Sequence, residues 1–303
     1  NPEGNLNDPN GLCFWQGNWH LFYQAYPPED TRQHWGHAVS QDLIHWRDLP
    51  YAIYPLPENC CYSGATLVEN NRVIAMYHGT GVGNIVATSD DPLLLNWTKL
   101  TNAAVIELKT PDRRKAYQLD RFSVYDPCIW KCHNYYYSLS GGVEATGPAG
   151  QYVAADFLFK SKDLINWEFV HSFIENNIFT RIGDDGACPY FWPIGNRHIL
   201  LFYSHMSGGQ YILGSYDTDK QKFSAEKHGL FNFGASLPSG VHAPSAAPCE
   251  DGSVIVIFNM NAGKECEGWD QIMTLPRKLT LAPDGDLQIA PAGDIHSLRG
   301  EHI

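Results

Sequence analysis

The sequence is poor in positive charge. Its 303 residues include 21 Lys and Arg against 33 Asp and Glu, which gives a net charge of −12. Nucleic acids and anionic membranes attract clustered positive charge, so neither is expected as a partner. No apolar run approaches the roughly 20 residues that a membrane span requires. The composition, 44% hydrophobic and 18% charged, is typical of a globular protein and leaves neutral substrates open.

Helical periodicity is scarce as well, and 27 Gly and 19 Pro interrupt the chain throughout. The 8 Cys show no zinc-type spacing, and several lie inside apolar strand patterns, where a reduced thiol acts as a small hydrophobe. This pattern favours a cytoplasmic location, with a secreted protein whose signal has been removed as the alternative. No metal or cofactor is expected, because His34, His37 and His45 lack a carboxylate or Cys at a suitable spacing.

What the chain does contain is a repeat. Five segments share a small or polar start, a short apolar strand, a turn rich in Gly or Asn, and a second strand of β-branched and aromatic residues. They start at Asp8, Tyr62, Asp126, Ala187 and His242, which are 54, 64, 61 and 55 residues apart. A second repeat, a Ser/Asp turn followed by apolar residues and a Trp, occurs at 40–46, 89–97 and 161–167.

Five units of about 60 residues, each with four short strands, predict an all-β fold, a five-bladed β-propeller with a central funnel. A two-sheet sandwich is the alternative, but it does not explain so regular a repeat. In a propeller the first strand of each blade lines the central channel. The starts of these strands are therefore expected to converge on one site: Asp8, Tyr62 with Ser63, Asp126, Ala187 and His242.

Two of the converging positions are Asp followed by Pro. An Asp-Pro pair alone usually starts a turn. Two of them at equivalent repeat positions, each near aromatic residues, favour a polar functional site. Paired carboxylates facing each other can cleave a glycosidic bond.

At this point the sequence resembles glycoside hydrolase family 32, the invertase, inulinase and levanase family. The resemblance rests on "NLNDPNG" (5–11), "LFYQ" (21–24), "WGHAVSQDLIHW" (35–46), "YSGAT" (62–66) and "GWDQIMTLPRKLTL" (268–281), and it covers essentially the whole chain. It implies a five-bladed catalytic propeller, here residues 1–290. It also implies a C-terminal β-sandwich, so residues 291–303 are expected to start a linker towards a domain that this chain does not include.

The resemblance also implies roles for individual residues. Asp8 matches the nucleophile that attacks the anomeric carbon of a β-fructofuranosyl unit, and Asp126 matches the carboxylate that stabilises the transition state. Further matched positions would hold the sugar: Asn7, Gln24, Trp35 and Ser63, with Tyr62 in place of the usual Phe, while Trp269 lies where the family has an aromatic residue near the site. Tyr125 and His242 are further candidates for sugar contact; His242 follows from the repeat, and a structural hydrogen bond is an equal alternative for it. The partner would be a small or oligomeric fructoside, and an oligomeric protein is possible.

Two departures from the family pattern stand out. Tyr125 replaces the Arg that normally precedes Asp126, and Tyr cannot supply the charge of Arg. Ala187 stands where the family has the Glu that acts as acid and base. Asp184 and Asp185 could in principle supply a substitute proton, but they lie two or three residues upstream and are expected to point elsewhere.

The sequence therefore predicts a retaining β-fructofuranosidase scaffold, acting on sucrose or fructans, that is severely impaired because its acid is absent. Since the nucleophile and ring-binding positions remain, the pattern favours an engineered Glu→Ala change at 187. A natural fructoside-binding protein and a fructosyltransferase on the same scaffold are the alternatives.

Overall fold

Short antiparallel strands separated by tight turns account for almost all regular structure in the computed structural model. It describes residues 4–108, 124–144, 148–151, 153–232, 240–260 and 271–300. Within these ranges the strands form five separate sheets, each built from consecutive strands. The predicted five-bladed propeller is confirmed. No helix of the described residues is long and apolar enough to cross a membrane.

The first three blades follow one another along the chain. Blade one contains β1 (Asn5–Trp15), β2 (Asn18–Tyr26), β3 (His34–Ser40) and β4 (Trp46–Ile53). Blade two contains β5 (Cys61–Glu69), β6 (Arg72–Gly79), β7 (Gly83–Ser89), β8 (Thr98–Lys99) and β9 (Ile106–Glu107). Blade three contains β10 (Pro127–Cys132), β11 (Tyr135–Glu144), β12 (Val153–Ser161) and β13 (Trp167–Ser172).

The last two blades each have five strands. Blade four contains β14 (Ile174–Glu175), β15 (Ala187–Ile194), β16 (Arg197–Ser204), β17 (Gly208–Asp217) and β18 (Lys222–Leu230), with β14 parallel to β18. Blade five contains β19 (Val241–Pro248), β20 (Val254–Met260), β21 (Ile272–Met273), β22 (Arg277–Leu281) and β23 (Leu287–Pro291). A short 3₁₀ helix, Ile295–Leu298, follows the last strand.

The first long strand of each blade is the innermost one. β1 contacts β5, β5 contacts β10, β10 contacts β15, β15 contacts β19, and β19 contacts β1, which closes the ring. Apolar residues from facing sheets fill the spaces between blades, including fully buried Phe22, Tyr77, Phe157, Phe202 and Phe258. The sheets pack face to face around the axis, so each blade is supported by two neighbours.

The Ser/Asp/Trp repeat forms the turn into the outermost strand. In blade one, Asp42 accepts the backbone N–H groups of Ile44 and His45, and the Trp46 indole donates to Leu43 O. Blade three repeats these bonds with Asp163 and Trp167. The Leu of each turn has a positive φ, 69° in both blades. The second repeat thus encodes one turn conformation.

A polar bridge crosses the propeller axis below the funnel. The Tyr190 hydroxyl accepts the N–H of Gly11 at 3.0 Å and donates to the carbonyl oxygen of Gly64 at 2.8 Å. It also lies 3.0 Å from the Ser245 hydroxyl, which accepts the N–H of Leu12 at 2.9 Å. A single buried side chain of blade four thereby links blades one, two and five.

Candidate active site

The inner strands enter the ring with irregular pairing. Register shifts occur near the start of β1, β5, β15 and β19, between Leu6 and Pro9, Cys61 and Gly64, Ala187 and Tyr190, and Val241 and Pro244. Such bulges turn a side chain out of the normal alternation. Here they aim the strand starts at the axis.

A cavity of about 640 Å³ opens at this end of the axis. Its volume lies within the range of about 300–1,000 Å³ typical of small-molecule sites. The structure places all of the converging positions on its wall: Asp8, Tyr62, Ser63, Asp126, Ala187 and His242. Asn7, Gln24 and Tyr125 line it as well. We name it the funnel.

Asp8 is held at the bottom of the funnel by three side chains. Its Oδ2 accepts the Ser63 hydroxyl at 2.8 Å and the Gln24 amide at 3.3 Å. Asn259 Nδ2 approaches its Oδ1 at 3.5 Å and also donates to Asn7 Oδ1 at 3.2 Å. Burial raises the pKa of Asp8 from 3.8 to about 6; the nearby Asp126 charge adds to the rise, and the Ser63 hydrogen bond opposes it. The carboxylate is fixed in place but ionises less readily than an exposed Asp.

Asp126 faces Asp8 from blade three. Its Oδ2 accepts the backbone N–H of Cys188 at 3.0 Å, and its Oδ1 lies 3.5 Å from His78 Nδ1. The Asn84 amide donates to the carbonyl oxygen of Tyr125 at 2.7 Å and so fixes the preceding residue. Tyr125, the residue before Asp126, carries no positive charge. The nitrogen next to the Asp126 carboxylate comes from His78 instead.

Cys188 joins the two carboxylates. Its Sγ lies 3.7 Å from Asp8 Oδ2 and 3.5 Å from Asp126 Oδ2. Its φ of 52° is unusual for a residue with a side chain and belongs to the bulge of β15. Burial, followed by the charges of Asp126 and Asp8, raises the pKa of the thiol. The neutral thiol can therefore donate a weak hydrogen bond to the carboxylates.

Ala187 brings only a methyl group to the wall. It is buried, with 7% of its surface exposed, and it packs with Cys188, Tyr203 and Ala243. The rings of Tyr203 and His242 stack beside it, 5.0 Å apart at 18°. His242 Nε2 is buried without a partner among the described residues, and burial lowers the pKa of this imidazole. A neutral His242 can exchange a hydrogen bond with a ligand hydroxyl in the funnel.

The two Asp residues before Ala187 differ in what they bind. Asp184 is almost fully buried and accepts the hydroxyls of Ser204 and Ser207, both at 2.6 Å, away from the funnel. Asp185 accepts the backbone N–H of His205 at 2.9 Å and lies 2.8 Å from its Nδ1. Asp184 thus points elsewhere as expected, whereas Asp185 is tied to a residue of the funnel wall.

One of the sequence-derived site residues does not line the funnel, and another is not among the described residues. Trp35 is fully buried behind it, where the indole N–H donates to the carbonyl oxygen of Tyr62 at 2.9 Å. Its large apolar ring packs in the core next to Phe22 and does not face the funnel. Trp35 therefore acts indirectly, by fixing the backbone of Tyr62. Trp269 lies outside the described residues.

The sequence reasoning missed seven wall residues: Tyr26, Gln33, His78, Cys188, Tyr203, His205 and Gln271. The repeat argument considered only the starts of first strands. Four of the missed residues lie at, next to or just beyond the end of a second strand, which pairs with a strand start in a hairpin: Tyr26, His78, Tyr203 and His205. The repeat itself therefore held a signal for His78, Tyr203 and His205.

The comparisons with known proteins agree with this architecture. Residues 1–291 match the Glycosyl hydrolases family 32 N-terminal domain. A sucrose-6-phosphate hydrolase of Zymomonas mobilis is 30% identical over 98% of this chain and 61% of its own length. A family 32 beta-fructofuranosidase of Bombyx mori has a TM-score of 0.79 and 26% identity, covering 99% of this chain and 66% of its own.

A variant of the Bombyx mori protein has been solved in complex with sucrose, with a TM-score of 0.78 and 25% identity over 99% of this chain and 66% of its own. This chain spans about three fifths of the length of the first curated relatives that it matches. Because the family match extends over nearly all of its residues, the chain belongs to glycosyl hydrolase family 32.

Proposed function

We propose that the funnel binds a terminal β-fructofuranosyl unit of sucrose or a fructan and transfers it to Asp8. The observation that carries this proposal is the Asp8–Cys188–Asp126 arrangement at the base of the funnel. Supporting it, relatives of this chain are named sucrose-6-phosphate hydrolase and beta-fructofuranosidase. A retaining glycosidase needs a carboxylate that attacks the anomeric carbon and a second group that protonates the leaving oxygen.

Asp8 has the features of the attacking carboxylate. Ser63 and Gln24 hold Oδ2, which leaves Oδ1 with only the long contact to Asn259 among the described residues. Above a pH of about 6 the carboxyl is ionised and able to attack. Burial makes this anion less stable than one in water, so neutralisation by bond formation to carbon is favoured.

Asp126 is placed to bind hydroxyls of the same sugar ring. It is fixed by the Cys188 N–H and by His78, and it shares the wall with Tyr62 and Tyr125. A carboxylate that accepts hydroxyl hydrogen bonds stabilises the positive charge that develops on the sugar in the transition state.

The departures at 125 and 187 occur in one contiguous wall. Beside Asp126, His78 contributes a nitrogen where the family's Arg is replaced by Tyr125. Beside Ala187, Tyr203 and His242 stack in close contact. An engineered loss of the acid requires a change at 187 alone and does not account for Tyr125. Because this chain departs from the family pattern at both 125 and 187, the comparison supports Ala187 as the native residue of a divergent site.

The proposal is tested by returning a carboxylic acid to the wall. The variant Ala187→Glu is expected to release fructose from sucrose, inulin or levan at a rate at least about 10²-fold above the unaltered protein if the latter lacks any acid. Asp8→Asn in the same background is the control and abolishes release. If neither Ala187→Glu nor the unaltered protein releases fructose from any of the three, the hydrolase proposal is wrong.

A fructoside-binding protein is the second candidate, and Ala187 is the observation that favours it. Calorimetric titration of the unaltered protein and of Asp8→Asn with sucrose separates the two. A binding protein has no use for the nucleophile, so its affinity is unchanged in the variant and no fructose forms with the unaltered protein.

A further inference from the structure

The missing acid has a neighbour on the same strand pair. Ala187 pairs with Tyr203 across the β15–β16 ladder. Two residues before Ala187 is Asp185, and two residues after Tyr203 is His205. Their side chains join at the end of the ladder, with 2.8 Å between Asp185 Oδ2 and His205 Nδ1. An ionisable pair therefore lies one step beyond the position where the family has Glu.

His205 belongs to the funnel. It lines the same cavity as Asp8, and its side chain is 64% exposed. Its charge is among those that lower the pKa of Asp8, although burial has the larger, opposite effect. The Tyr203 ring contacts the imidazole edge to face, with centroids 5.0 Å apart. The ring is thus held at the funnel wall on the blade that carries Ala187.

The Asp185 contact sets the direction of the imidazole. Because Nδ1 faces the carboxylate, Nε2 points away from Asp185. A carboxylate at this distance orients the ring, which is how His is prepared for proton transfer in many enzymes. Among the described residues, the ionisable groups near His205 include Asp185, Tyr203, His242 and Asp8.

We propose that His205 is the acid and base of this site, with Asp185 as its positioning residue. The inference rests on the proposed function. Asp8 Oδ1 attacks the anomeric carbon, the bond from that carbon to the leaving oxygen breaks, and its electron pair takes the proton from Nε2. In the second step neutral Nε2 accepts a proton from water as the water oxygen bonds to the anomeric carbon. Asp8 leaves as carboxylate, so the protein returns to its starting state.

The chain contains a matched control pair. On the outer edge of blade one, Asp42 Oδ1 accepts the His45 N–H at 2.8 Å and Asp42 Oδ2 lies 2.7 Å from His45 Nδ1. His45 is 59% exposed, close to the value for His205. His45→Gln therefore removes an equivalent pair at a distance from the funnel.

The experiment compares two substrates. Sucrose has a poor leaving group that must be protonated, whereas 4-nitrophenyl β-fructofuranoside releases a stable phenolate. His205→Gln is expected to lower kcat/KM for sucrose by about 10²-fold or more and for the aryl fructoside by less than about tenfold. Azide, which attacks without a base, should raise kcat of this variant on the aryl substrate and yield fructosyl azide. His45→Gln should behave as the unaltered protein does.

The variant Asp185→Asn tests the positioning role through the pH profile of kcat/KM, which a purely structural role of Asp185 would leave unchanged. Loss of the carboxylate disfavours the imidazolium, so the alkaline limb of the sucrose kcat/KM profile should shift to lower pH while folding is retained. An unshifted limb contradicts the assignment of Asp185.

The remaining outcomes are distinct. Equal losses on both substrates, or a His205→Gln variant that matches His45→Gln, overturn the role of His205. If Ala187→Glu releases fructose and the unaltered protein does not, His205 supplies no proton and the proposed function stands. If neither releases fructose from any substrate, the proposed function itself is wrong.

Discussion

Replacing Asp8 by Asn should make the protein more stable at neutral pH. The carboxyl has a pKa of about 6 in the folded protein against 3.8 as its ordinary value, and burial is the main cause. Below the lower value both the folded and the unfolded chain are protonated at this group. Between the two values the folded chain keeps the proton that the unfolded chain has lost, so stability falls as pH rises.

The size of the effect follows from the difference between the two pKa values. About two pKa units at 1.36 kcal/mol each correspond to roughly 3 kcal/mol of lost stability, complete only above a pH of about 6. Asn can still accept the bonds of Ser63 and Gln24 through its oxygen. Asp8→Asn should therefore raise the free energy of unfolding by about 1–3 kcal/mol at pH 7.5 and have little effect at pH 4.

Urea denaturation of both proteins at pH 4 and pH 7.5 measures this difference. Asp42→Asn serves as the control of opposite sign, because hydrogen bonds from His45 and Ile44 lower the pKa of Asp42. That variant should lose stability at neutral pH relative to acid. The reasoning about the funnel is refuted if Asp8→Asn is no more stable than the unaltered protein at pH 7.5, or if the gain is as large at pH 4.

Two further predictions concern buried polar groups. Tyr190→Phe leaves the Gly11 N–H and the Ser245 hydroxyl without this partner, so the free energy of unfolding in urea should fall by about 2–4 kcal/mol; an unchanged midpoint contradicts the bridge. Asp156 is buried and its Oδ1 has no partner among the described residues, and burial raises its pKa to about 8. Folded Asp156 keeps its proton above the unfolded pKa of 3.8, so stability should fall from there up to a pH of about 8. Asp156→Asn should remove that decline in thermal unfolding curves, and a decline of equal slope in the variant would speak against it.

The repeat was enough to predict the propeller and the strand starts that meet at the funnel. The spacing of the repeats and the residues of their turns can be read directly from the sequence. Because five copies show the same pattern, an ambiguous strand or turn in one copy is resolved by the others. The pairing of His205 with Asp185 was not predictable in the same way. It depends on the bulge between Ala187 and Tyr190, which sets the register of the hairpin and leaves no separate mark in the sequence.

A sequence motif also does not distinguish a residue that contacts the ligand from a residue that supports such a contact from the core. Trp35 occupies a motif position that resembles a sugar-binding residue, yet its ring is in the core and acts through the Tyr62 carbonyl. Whether a side chain faces the cavity depends on strand twist and on neighbouring blades. Motif matching therefore finds the neighbourhood of a site more readily than its surface.

The Tyr190 bridge determines how a ligand can enter and leave the funnel. The Tyr190 hydroxyl links blades one, two and five across the axis, so the funnel is closed at the level of this bridge. For the proposed reaction this means that a sugar chain could not thread through, so only a chain end would reach Asp8, and the departing fragment would leave by the mouth through which it came. Water or a second sugar arrives by that same mouth. If the proposed function holds, we expect the time that the departing fragment spends at the mouth to decide between release of free fructose and its transfer to another sugar.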